Sequence, residues 1–188
     1  MSSFPRLYRV FPWLEDADEG KPGNPLYVAA PQGRGRVDNP DRYLTLYASD
    51  EAPGAIAEAF GNNSTWTPDL LDGPPSLPGS RRALAVFDSD ATRIVDLDDA
   101  QALLDRKLRP SRVVTRDRDT TQRWALRIFN ERRWSGVRWW SYYNADWGSF
   151  GIWGRDFLET TDVIPLDSIV DLVRQTAADL NRVWEGAG

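Results

Sequence analysis

Gly35-Arg36-Val37-Asp38-Asn39-Pro40, then Thr45-Leu46-Tyr47-Ala48-Ser49, then Ala55-Ile56-Ala57-Glu58 decide how this chain reads. They set an arginine, a tyrosine and a glutamate at equal steps of eleven residues. The first piece is a glycine-rich loop ending in Asn-Pro, the second alternates as a strand, and the third has the apolar density of a helix. Ser49 or Asp50 is placed to cap that helix through about Phe60, with Pro53 tolerated in its first turn.

Working outward, the order of elements is α+β. Leu7 to Phe11 reads as a first strand. Residues Glu15 to Asp41 are dense in Gly, Pro, Asp and Asn and read as a long irregular segment, broken by the apolar piece Leu26 to Ala29. Such a loop inside one domain is uncommon unless functional. Thr67 to Ser80 reads as a surface excursion, and Ala83 to Asp88 with Thr92 to Leu97 as a hairpin. Asp98 to Leu108 and Asp119 to Trp134 have helical spacing, the second capped by Asp119 or Thr120. Strands follow near Val137–Tyr142, Phe150–Trp153 and Phe157–Ile164. An amphipathic helix from Asp167 to Trp184 closes the chain.

Composition bounds the chemistry. At 188 residues, 41% of them apolar and 27% charged, the chain suits one globular domain over residues 1–188. No apolar run approaches a membrane span and no signal-peptide pattern opens the chain, so a cytoplasmic protein without membrane attachment is the expectation. The absence of cysteine fits a reducing compartment. A net charge of −5 argues against direct nucleic-acid binding by the chain as a whole. Arginine outnumbers lysine 21 to two, a bias that genome composition explains more readily than function, although arginine is also the bidentate phosphate binder.

With no histidine and no cysteine, Ser-His-Asp and Cys-His catalysis, thiolate chemistry and ordinary zinc sites are excluded. No phosphate-loop or dinucleotide-fold glycine motif occurs. Carboxylates, hydroxyls and arginines remain. That toolkit suits reactions through an oxocarbenium-like transition state, such as transfer or hydrolysis at a ribosyl carbon. No metal is expected.

Taken singly, the residues are bland. A tyrosine in mid-strand is most often core, and a helical glutamate most often solvated. Glu58 is set among Ala55, Ile56, Ala57, Ala59 and Phe60, which makes it less ordinary. Ser141 lies between large aromatics as a small residue would. Six of the nine tryptophans fall between Trp124 and Trp153, and core packing explains most of them.

Jointly, the pattern resembles the RES domain, a family named for arginine, glutamate and serine. The resemblance rests on Tyr8-Arg9 in the first strand and on the Gly35–Pro40 loop, where valine replaces the family's aromatic and one extra residue precedes the asparagine. It continues through Tyr47, Glu58, Thr121-Gln122-Arg123-Trp124-Ala125 and Gly136-Val137-Arg138-Trp139-Trp140-Ser141, spanning Tyr8 to about Trp153.

The resemblance implies a fold like that of ADP-ribosyltransferase toxins, a split, twisted β core with surrounding helices around an NAD cleft. It implies that Arg9 and Arg36 hold the diphosphate and that Tyr47 orients the nicotinamide end. Glu58 would stabilise positive charge as the glycosidic bond breaks, and Ser141 would fix the ligand. The leading function is an NAD-degrading toxin of a bacterial type II toxin–antitoxin pair, with water or phosphate as acceptor. Its implied partner is an Xre-like DNA-binding antitoxin, and a homo-oligomer is compatible with the chain. The alternatives are a mono-ADP-ribosyltransferase acting on a protein and a non-catalytic binding domain.

Overall fold

The side chains of the first strand sort the molecule into two layers. Leu7 and Phe11 are buried with Val28, Leu46, Ala48, Phe87 and Phe150, whereas Tyr8 and Val10 pack with Ala55, Ile56, Leu84 and Leu166. Alternate residues of a strand face opposite sides of the sheet, so these clusters define its two faces. The structure, a computed structural model, describes residues 6–186. Residues 1–5 and 187–188, included in the expected domain, lie outside the described residues.

In chain order the strands are β1 (Arg6–Trp13), β2 (Leu46–Ser49), β3 (Thr65–Trp66), β4 (Arg81–Ser89), β5 (Ile94–Asp96), β6 (Gly136–Trp140), β7 (Gly148–Ile152), β8 (Leu158–Pro165) and β9 (Val183–Trp184). The helices are α1 (Ala52–Phe60), α2 (Ala100–Asp105), α3 (Pro110–Val113), α4 (Arg118–Asn130) and α5 (Val170–Asp179). One seven-stranded sheet runs β5-β6-β7-β2-β1-β4-β8, all antiparallel except the parallel β5–β6 pair. The fold class is α+β, as expected.

The sheet is pinched at its centre. β1 and β4 pair along eight registered positions, but β1 and β2 share only Tyr8↔Ser49. The β core is therefore nearly split into β5-β6-β7-β2 and β1-β4-β8. Cross-strand partners share a face, so Trp139, Ser149, Ser49 and Tyr8 form one row across the pinch. Two helical groups cover this face. On the β1–β4 half, α1 and α5 bury Ile56, Phe60, Val173 and Ala177. On the β5–β6 half, α2 to α4 bury Leu103, Val113, Trp124 and Ile128 against Val95, Val137 and Trp139. Each Val, Leu, Ile or Phe among them taken fully out of water contributes about 1.5–3 kcal/mol.

The irregular segment before β2 covers the opposite face, inserting Leu26, Val28 and Leu44. Several local expectations are corrected. β4 and β5 do not form a hairpin: β4 lies between β1 and β8, while β5 pairs in parallel with β6. The final helix stops at Asp179, and Trp184 joins the parallel pair Trp66↔Trp184. Helix α1 begins after Glu51 without a side-chain cap bond, because Ser49 and Asp50 are spent elsewhere. Ser49 Oγ donates to Gly148 O at 2.8 Å, and Asp50 accepts from Gly148 N at 2.6 Å and pairs with Arg138 at 3.3 Å. Asp117 caps α4, rather than Asp119 or Thr120, accepting from Thr120 N at 3.1 Å. Between Asp98 and Leu108 only Ala100–Asp105 is helical.

Candidate active site

Helix α1 buries Ile56 and Phe60, one turn apart, and Glu58 falls off that stripe onto an exposed flank. Its carboxylate faces the pinch. Oε1 accepts from Ser141 Oγ at 3.2 Å and from Ser149 Oγ at 3.1 Å, and both serines are buried. Among the described residues no hydrogen bond to Oε2 is seen. Two neutral donors hold the carboxylate without cancelling its charge, the arrangement needed to oppose a cation.

Tyr47 lies on the same face of β2 as Ser49. Its hydroxyl donates to Asp38 Oδ1 at 2.6 Å and accepts from Val37 N at 3.1 Å. Burial, with the hydrogen bond to Asp38, pushes the Tyr47 phenol far above its ordinary value. The ring meets Trp139 edge-on at 6.5 Å. The other Asp38 oxygen accepts from Gly33 N at 2.9 Å and Gly35 N at 2.7 Å. Close approach explains two glycines: a Cβ on Gly35 would strike the Tyr47 hydroxyl, and one on Gly151 would strike Val37.

Arg36 projects from this loop over Trp139, 5.8 Å from the ring centroid. Its Nη1 donates to Val113 O at 2.7 Å and Thr115 O at 2.8 Å. Arg118 Nη1 donates to the same Thr115 carbonyl at 3.2 Å, so two guanidinium groups meet on one oxygen. Burial and then Arg118 lower the Arg36 pKa to about 10, opposed by Glu58 and Tyr47. Neither arginine pairs with a carboxylate among the described residues. Like charges held together in this way favour an anion between them.

Arg9 is elsewhere. It shares the sheet face of Leu7 and Phe11, opposite Glu58, and its Nη1 donates to Pro25 O at 2.6 Å. Burial, then the neighbouring Arg155, lowers its pKa to about 10. Arg155 in turn donates to Leu26 O at 2.7 Å, so this pair pins the irregular segment to the sheet. Arg36, Tyr47, Glu58 and Ser141 come together at the pinch; Arg9 does not join them.

The profile of the RES domain matches residues 6–180. The chain belongs to the RES domain family. No curated protein is significantly similar in sequence. A chain from the crystal structure of the M. tuberculosis MbcT–MbcA toxin–antitoxin complex is similar in fold, with a TM-score of 0.60. It is 15% identical, and the match covers 92% of this chain and 88% of that one.

Four residues of this RES domain contribute to the site without having stood out in sequence. Ser149 follows only from the β7 register with β2 and β6. Asp38 lies in the Gly35–Pro40 loop, and its signal was its place beside Arg36 in that stretch. Gln122 lies in the Thr-Gln-x-Trp-Ala stretch; its Nε2 donates to Gly33 O and Gly35 O at 2.9 Å, tying α4 to the loop. Arg118, one of many arginines, carried no signal of its own.

Proposed function

We propose that this RES domain is the toxin of a bacterial type II toxin–antitoxin pair and cleaves the nicotinamide–ribose bond of NAD. The observation that carries the reading is the Glu58 carboxylate, seated by two serine hydroxyls beside Arg36 and Tyr47. The diphosphate of NAD lies on Arg36 and Arg118, whose donors suit phosphate oxygens. The nicotinamide end lies against Tyr47 and Trp139, with Glu58 at the ribose.

Nicotinamide leaves with the electron pair of the C–N bond, and positive charge develops on the ribose. Glu58 opposes that charge where it forms, stabilising the transition state more than the ground state. Water or phosphate then bonds to the same carbon; water loses a proton in doing so. Ser141 and Ser149 keep the carboxylate in place, so little reorganisation is needed during reaction.

Likeness in fold to a chain of the MbcT–MbcA toxin–antitoxin complex supports an antitoxin as partner. We assign that role to a small helical DNA-binding protein of the Xre type that covers the cleft. Cytoplasmic NAD is the substrate in this reading. Incubating purified protein with NAD and following free nicotinamide tests it. Release of nicotinamide with unmodified ADP-ribose or its phosphate ester is expected. No release overturns cleavage, and ADP-ribose covalently attached to added protein would indicate transferase activity instead.

A further inference from the structure

Away from Glu58, residues 106–127 carry eight cations (Arg106, Lys107, Arg109, Arg112, Arg116, Arg118, Arg123, Arg127) against Asp117 and Asp119, a local charge of +6. The whole chain is −5, so the remainder is −11. Five of these cations line one open groove of about 290 Å³ between α4 and the segment from Lys107 to α3. They are Lys107, Arg109, Arg112, Arg123 and Arg127, with Thr120, Leu108 and Trp124 beside them.

All five cations are exposed, and none pairs with a carboxylate among the described residues. Arg123 and Arg127 are one turn apart on α4, with Thr120 on the same stripe. Arg109 and Arg112 stand across from them at the start and within the turn of α3. Asp117 acts on Arg112 and Arg123 electrostatically, but its oxygens are used by Thr120. The guanidinium donors are thus left largely unspent.

We propose that this groove contacts the phosphate backbone of duplex nucleic acid without reading sequence. Its cations come from two segments, residues 107–112 and α4, and line an open groove, an arrangement that suits the phosphates of a nucleic-acid backbone. Single-stranded binding uses exposed aromatic rings as stacking platforms. Here Trp124 is 1% exposed and its Nε1 donates to Arg112 O at 3.0 Å, so no ring is offered. The acidic remainder repels the same phosphates, so the contact supplements another anchor and is weak by itself. The expectation from net charge that the chain avoids nucleic acid averages over this local reversal. NAD chemistry plays no part in the groove's role.

The test is fluorescence anisotropy of a labelled duplex of arbitrary sequence with the purified protein, titrated from very low salt upward. Five phosphate contacts give a slope of log affinity against log salt of about −4.5. The double variant Arg123→Ala/Arg127→Ala removes two contacts and should flatten the slope to roughly −2.7. Its melting temperature should match the parent, since both side chains are exposed. Absence of duplex binding at the lowest salt overturns the proposal, as does an unchanged slope in the variant. Binding of a glutamate-rich peptide in place of duplex also overturns it and assigns the groove to an acidic protein partner.

Discussion

Tyr47 and Asp38 are locked together: the phenol donates to the carboxylate at 2.6 Å, and the carboxylate's other oxygen gathers the backbone N–H groups of Gly33 and Gly35. Asp38 therefore holds the loop in place, with Arg36 over Trp139.

Asp38→Ala removes the acceptor of the Tyr47 hydroxyl and of the Gly35 N–H, both half-buried, whereas the exposed Gly33 N–H can turn to water. Each unsatisfied buried donor costs about 1–3 kcal/mol. The urea midpoint should fall clearly, and the KM for NAD should rise because Arg36 loses its support. Asp38→Asn, which retains acceptor oxygen, should lose less. An unchanged midpoint in Asp38→Ala would show that the bonds from Gln122, Tyr47 and Arg36 suffice to hold the loop.

Tyr43 and Tyr47 also contribute a pH dependence to stability. Burial raises both phenols above their ordinary value of 10.0 in the native state. Above that pH the unfolded chain loses phenolic protons that the folded chain keeps, so unfolding becomes more favourable as pH rises. The loss begins near pH 10 and steepens at about 1.4 kcal/mol per pH unit for each tyrosine. Arg9 and Arg36, whose pKa values are lowered to about 10 in the folded chain, act in the opposite sense over the same range. The tyrosine contribution is therefore read as the difference between parent and variant in urea denaturation from neutral pH to pH 11. Tyr47→Phe should be less stable near neutrality, yet lose stability less steeply in alkali.

Glu58→Gln retains shape and removes charge. Losing an electrostatic group aimed at the transition state costs roughly 10²–10³ in rate. Nicotinamide release should fall by that factor while the circular dichroism spectrum is unchanged. Ser149→Ala removes one of two hydroxyls on Oε1 and should cost roughly tenfold in kcat, about 1.4 kcal/mol. Parent-like turnover by Glu58→Gln would make Glu58 a structural residue.

Arg118→Ala and Arg9→Met separate the two arginine pairs. In the proposed reading Arg118 contacts phosphate in ground and transition states alike, so Arg118→Ala should raise KM while kcat changes little. Arg9 lies beneath residues 24–26 on the other sheet face, so Arg9→Met should hold kcat/KM for NAD within about threefold. A large kcat/KM loss in Arg9→Met, with the fold intact, would mean that Arg9 reaches the substrate.

The sequence alone was enough for the α+β class, the order of elements around Arg36, Tyr47 and Glu58, and the RES resemblance. Those features are local: glycines before Asn-Pro, alternation through Tyr47 and apolar spacing through Ile56 and Phe60 depend on near neighbours in the chain. Which face Arg9 occupies was not legible, because both sets of β1 neighbours are apolar and strand parity had no polar side to mark. The β4–β5 hairpin failed for a related reason. Proximity in sequence favours pairing, but β5 gains its partner β6 only through the crossover of α2 to α4. Ser149 and Arg118 entered the site through sheet register and through the shared Thr115 carbonyl. Such contacts between residues distant in sequence are formed by tertiary packing, which single-strand periodicity does not encode.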